Sequence, residues 1–141
     1  MFINRAGSFI IPFLAIYIAQ KLGYGVSFAT WTMGAFGLGS ICASLAGGHL
    51  ADHIGRRVVM LAGLFGGAGV MIVMSQLSNR WAIMGAAFSL SLIADTYRPA
   101  ASAMIADLTT AHERPLAFGL MYVAINLGFA IAPVVGGFLA E

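Results

Sequence analysis

Residues 48–60 read GHLADHIGRRVVM, a short charged link between two long apolar runs. Asp52 and Arg56 stand four apart, the separation at which side chains meet across one helical turn. Gly55 permits a tight turn or the close approach of another backbone. His49 and His53 share a helix face at the same spacing. With Asp52 they suggest a metal site, but no thiolate or additional carboxylate lies nearby, so no metal is expected here.

Outward from this link the chain is strongly apolar. Of 141 residues, 60% are hydrophobic and 9% are charged, and the mean hydropathy is +0.93. A soluble domain carries about 25% charged residues. So few charges cannot cover an apolar core, which excludes a soluble enzyme, a nucleic-acid binder and a disordered tail. The net charge of +2 comes from basic residues that are not clustered on a polar face, so it carries no nucleic-acid signal. Cys42 is the one cysteine and allows no internal disulfide. The apolar start lacks a basic region ahead of it and reads as a retained span rather than a signal peptide.

A helical span needs about 20 apolar residues, and only helices or closed barrels satisfy the backbone in lipid. The runs here are continuous rather than alternating, which excludes a barrel. Five spans are expected, at about 2–20, 28–50, 58–77, 82–106 and 116–139. Their polar links are short, so neighbours are antiparallel. The expected fold is all-α, a polytopic transmembrane helical bundle occupying residues 1–141 as one partial domain. Arg56, Arg57 and Arg114 fall in the second and fourth links, with His49, His53 and His112 nearby; Lys21 and Arg80 fall in the first and third. This bias places the second and fourth links, and the N-terminus, in the cytoplasm. Trp31 and Trp81 then lie at the outer interface, where belt aromatics belong.

Small residues recur every four positions. Gly39, Ala43 and Gly47 do so in span two, beside Ser40, Ser44 and Gly48. Ala62 and Gly66, beside Gly63 and Gly67, do so in span three, and Gly128, Ala132 and Gly136 in span five. Such stripes let helix backbones approach closely, as ordinary packing or as interfaces that slide during a transport cycle. Span four holds the unexpected charges. Asp95 lies about midway along it and Arg98 three residues later, a spacing that permits pairing on one helix face. Ionisable groups at mid-membrane are costly and mark candidate functional sites. Asp95 is either a proton-carrying carboxylate or one half of a structural pair. Pro99 loosens the local helix and frees backbone groups. Tyr97 points elsewhere on that helix.

The 48–60 link resembles the signature loop between helices two and three of the major facilitator superfamily. Gly48, Leu50, Ala51, Asp52, Gly55, Arg56 and Arg57 fit that pattern, and His53 stands where a basic residue is usual. The resemblance implies that Asp107, at the end of span four, pairs with Arg56. Asp52, Arg56 and Asp107 would then form a charge cluster that latches the cytoplasmic side. Span five resembles the helix-five motif of the antiporter branch through Gly119, Gly128, Pro133, Gly136 and Gly137, with Ala132 in place of one glycine. Pro133 is expected to bend that helix and so seal the cavity against proton leak. The usual helix-four arginine falls near Ala87, so its proton-coupling role does not transfer to Arg98. Asn4 and Arg5, ahead of GSFIIPFLAIYIA, resemble helix one of drug-efflux members, where the pair lies well inside the membrane. Only three residues precede it here, so either the chain starts within helix one or Arg5 snorkels to the inner interface.

Superfamily members have about twelve helices in two halves built from inverted repeats. Five spans therefore imply part of an N-terminal half. The implied function is secondary active transport of a small solute by alternating access, with proton-coupled efflux as the favoured form, in a bacterial cytoplasmic membrane. The implied partners are the lipid bilayer, the small-molecule substrate, protons and the rest of the transporter. No cofactor, nucleic acid or enzymatic role is expected. The alternative is a small helical membrane protein acting as a structural or regulatory partner of a larger complex.

Overall fold

The computed structural model describes residues 10–140, and within these every regular element is helical. The elements are α1 (Ile10–Ile16), α2 (Gly25–Ile54), α3 (Arg56–Met74), α4 (Arg80–Ala94), α5 (Tyr97–Leu108) and α6 (Arg114–Ala140). A π-helical turn, Tyr17–Lys21, extends α1. The architecture is all-α. Three helices, α2, α3 and α6, are long and apolar enough to cross a membrane.

At 30 residues, α2 is about 45 Å long, against a hydrocarbon core of about 30 Å. It absorbs most of the charged link. Residues 51–54 are its last turn rather than a loop, and Gly55 alone separates it from α3. Gly55 makes this one-residue turn with φ 96° and ψ 136°, a conformation open to glycine and strained for any other residue. No heavy atom would crowd a side chain there, so the glycine serves the turn and not a close approach. At the opposite end Asn79 starts α4. Its side chain accepts from the backbone N–H groups of Trp81 (2.9 Å) and Ala82 (3.3 Å).

The expected fourth span is not one helix. It breaks at Asp95–Thr96 into α4 and α5. The cause is Pro99, which has no N–H to give the carbonyl of Asp95 and whose ring would clash with it. That carbonyl instead takes the N–H of Arg98 at 3.1 Å, one residue short of α-helical spacing. Pro99 then sits in the first turn of α5, where a missing N–H costs nothing.

Small residues let α2 and α3 close around this break. Gly39, Ala43 and Gly47 are all buried along α2, as are Gly63 and Gly67 along α3. A Cβ on Gly39 would collide with Ser91 Oγ and come within 2.5 Å of the carbonyl of Phe88. On Gly47 it would meet Pro99 Cγ at 2.8 Å and Thr96 Cα at 3.0 Å. On Gly63 it would meet Thr96 Oγ1 at 3.1 Å and the carbonyl of Ile93 at 3.2 Å. Above and below this zone lie two apolar clusters. Leu14, Ile18, Ala29 and Ile83 form one at the Trp31/Trp81 end; Ala51, Val59 and Ala100 form the other at the Gly55 end.

At the first of these ends, Tyr24, Phe28 and Trp81 stack edge to face (5.7 and 5.9 Å between centroids), with Arg80 over Trp81. The Tyr24 hydroxyl donates to the carbonyl of Ser78 and ties the two links together. Trp31, Leu45 and Phe65 project outward at 74%, 77% and 75% exposure, which suits lipid rather than water as the surrounding medium. The last helix, α6, buries one narrow face, Met121, Gly128 and Ala132, at helical spacing.

Candidate functional site

The charged link and the end of α5 form one cluster. Arg56 starts α3 and bridges three groups. Its guanidinium pairs with Asp107 near the end of α5, donates to the carbonyl of Ala103, and lies 3.9 Å from Asp52. A planar fork with five N–H donors can serve a carboxylate and a carbonyl at once. Arg114 donates to the carbonyl of Ala106 at 3.0 Å. Arg114 thus satisfies one of the last carbonyls of α5, Arg56 adds a bond to a carbonyl one turn earlier, and both charges complement the negative end of the helix dipole. They also offset Asp107, whose charge has the wrong sign for a helix C-terminus. Asp52, Arg56, Arg57, Met104 and Asp107 line an open hollow of about 460 Å³. Among the described residues Arg57 has no ion-pair partner, and Gly48 lies one turn back along α2.

Next to the cluster, Glu113 turns the chain into α6. Its carboxylate accepts from the Thr110 hydroxyl (2.8 Å) and the Thr110 N–H (3.1 Å). These two bonds, the hydroxyl's first, hold the carboxyl below its ordinary 4.5. His49 and His53 stack at 4.2 Å between ring centroids, and His53 Nδ1 contacts the carbonyl of His49 at 2.9 Å. No group of three potential metal ligands occurs among the described residues.

The break in the fourth span forms a second, interior cluster. Asp95 caps the end of α4, half-buried, and its Oδ2 accepts a hydrogen bond from Ser40 Oγ of α2 at 2.5 Å. Thr96 beside it donates to the carbonyl of Ile93 at 2.6 Å. The expected pairing of Asp95 with Arg98 is absent among the described residues, and Arg98 is exposed. The turn at 95–96 is the reason. Spacing of three brings side chains together only within a continuous helix. Tyr97 is buried.

In the last helix, Gly128 and Ala132 are buried, but a Cβ at Gly119 or Gly137 would meet no neighbour. Pro133 lies inside α6, as does Gly136. Asn4 and Arg5 lie outside the described residues.

Three contributors are not legible as functional in the sequence. Ser40 reads there only as one member of a small-residue stripe. The carbonyls of Ala103 and Ala106 carry no sequence signal at all. A serine next to a flush glycine, opposite a mid-span acid, is the pattern that points to Ser40.

The family profile described as Major Facilitator Superfamily matches residues 1–141. The chain is 35% identical over 136 residues to the uncharacterized MFS-type transporter YqjV of Bacillus subtilis (strain 168), covering 96% of this chain and 33% of that protein. It is 30% identical over 140 residues to the quinolone resistance protein NorA of Staphylococcus aureus (strain N315), covering 94% of this chain and 34% of that protein. The same figures hold for NorA of strain MW2. The chain spans about a third of the length of the curated relatives it matches. Apolar helices, a charged cluster between them and a family match along the full length agree: the chain is an integral membrane protein and belongs to the Major Facilitator Superfamily.

Proposed function

We propose that this chain is part of a secondary active transporter that moves a small organic solute by alternating access, in the direction of efflux and driven by protons. The observation that carries the reading is the Arg56 cluster. Its guanidinium joins the α2–α3 turn to the last turn of α5, so the two ends move as one body when the latch is closed. Rocking of one half of a transporter against the other needs such a rigid unit, together with contacts at its edge that can break. In this reading Gly48, Asp52, Gly55, Arg56, Arg57 and Asp107 form the cytoplasmic gate, and the N-terminus is cytoplasmic.

Asp95 is the proton-carrying group, placed where the fourth span is interrupted. Discontinuous helices at mid-membrane are where transporters of several folds hold substrates and coupling ions. With Asp95 and Arg98 unpaired, the alternative role of Asp95 as one half of an ion pair loses its support. Arg98, Asn4 and Arg5 remain candidates for the substrate path. The motif Gly119, Gly128, Pro133, Gly136 and Gly137 supports antiport over symport, with α6 as the seal against leak. The similarity to NorA, a quinolone resistance protein, supports a drug-like organic substrate.

The test is transport of a fluorescent quinolone by the full-length protein in proteoliposomes under an imposed pH gradient. Asp95→Asn is expected to lose gradient-driven transport while keeping its membrane insertion. Undiminished, pH-dependent transport by Asp95→Asn overturns the assignment.

A further inference from the structure

Thr30, Thr32, Ser44, Ser91, Thr96 and Thr109 each donate to a backbone carbonyl three or four residues back. This is the usual resource of a hydroxyl in an apolar helix, because a local acceptor is always within reach. Ser40 departs from it. Its hydroxyl leaves α2 and donates to Asp95 Oδ2 at 2.5 Å. A hydroxyl gives up its own helix only for a stronger acceptor, and an ionised carboxylate is one.

The packing holds this bond in place. Ser91 and Asp95 are four apart and share a face at the end of α4. Gly39 lies flush against Ser91 and Phe88, and Gly47 lies flush against Thr96 and Pro99. α2 is therefore pinned to the broken helix on both sides of Ser40. The charged surroundings are sparse. α2 carries Cys42, His49, Asp52 and His53, the last three in its final two turns. α3 carries only Arg56 and Arg57, in its first turn, and α4 only Arg80 at its start. On α5, Tyr97 is buried and Arg98 is exposed, while Asp107 is taken by Arg56. Ser40 is thus the one side-chain donor that reaches Asp95 among the described residues.

We propose that Ser40 is the positioning residue for Asp95, tying the carboxylate to α2 when it is ionised and releasing or reversing the bond when it is protonated. A protonated carboxyl is itself a donor. Ser40 is then free to return to its own helix, as Ser44 does. Proton uptake would in this way change the contact between α2 and the α4–α5 break. The proposal rests on Asp95 being the proton-carrying group.

The experiment is a pH titration of the full-length protein in proteoliposomes by infrared difference spectroscopy, with protons as the only ligand. Asp95→Asn identifies the carboxyl band of Asp95. Ser40→Ala shifts the frequency of that band, because the carboxylate loses its one side-chain hydroxyl donor. Ser40→Thr restores it. Ser40→Cys, a weaker donor of similar size, gives a smaller shift in the same direction and covers the case in which Ser40→Ala does not insert. An Asp95 band that is identical in the wild type, Ser40→Ala and Ser40→Cys overturns the role of Ser40 and leaves Asp95 standing. A titration from about pH 4 to 9 with no band removed by Asp95→Asn overturns the reading of Asp95, and the proposal with it.

Discussion

Arg56 concentrates most of the charge interactions of the described residues in one side chain. Its two carboxylate partners are unequal. Asp107 is in direct contact, whereas Asp52 lies at 3.9 Å with its side chain 68% exposed. Exposed pairs at that separation contribute little. We therefore expect Asp52→Asn to change stability by less than about 0.5 kcal/mol, and Asp107→Asn by about 1 kcal/mol after allowing for its own exposure. Arg56→Lys should recover only part of what Arg56→Ala loses, because an ammonium is a point donor and lacks the fork that spans a carboxylate and a carbonyl. Thermal unfolding of the purified full-length variants in detergent checks the ranking. Equal losses from Asp52→Asn and Asp107→Asn would show that the distances do not govern the strength of these pairs. The residue types of this cluster were all readable from the 48–60 link and its resemblance. Its backbone partners were not, because a carbonyl is the same in every residue and only folding selects which ones a distant arginine reaches.

Among the helices, the interrupted fourth span depends on glycines carried by its neighbours. Gly39 and Gly69 are both glycines within helices, yet they differ in what surrounds them. A methyl at Gly39 would strike Ser91 and the carbonyl of Phe88, whereas a methyl at Gly69 would meet nothing. Gly39→Ala should cost about 1–3 kcal/mol, the range for overpacking. Gly69→Ala should be neutral or stabilising by up to about 1 kcal/mol, through helix propensity. Denaturant unfolding of the two variants separates the outcomes, and a neutral Gly39→Ala would contradict the close contact of α2 with α4. The four-residue spacing in residues 39–47 made such contacts expected. It did not say which helix they served. The break itself was hidden because hydropathy runs unbroken through residues 82–94, and Pro99 sits one turn downstream of the carbonyl it disturbs. In the same way, α2 continues through Ile54 because the sequence 51–54 contains polar residues but no helix breaker before Gly55.

Across the whole chain, the exposed surface is that of a body meant for lipid and for further protein. Leu120, Val123, Leu127 and Phe129 of α6 are exposed, while Met121, Gly128 and Ala132 are buried. The relatives are about three times as long. A substrate cavity between two halves needs both of them. Residues 1–141 expressed alone are therefore expected to insert into a membrane and to give no gradient-driven transport in proteoliposomes. Transport by that segment would refute the two-half reading of the site.

Membrane residence and helical class follow from local properties: hydropathy and spacing. These survive translation from chain to fold because the bilayer forces backbone bonding within each span and allows charge mainly at its ends. The partner of Asp95 did not follow in this way. Local spacing offered Arg98, and the fold supplied Ser40, 55 positions away. That choice belongs to the tertiary structure because a proline opened the helix, and glycines on α2 then brought a new donor to the half-buried carboxylate.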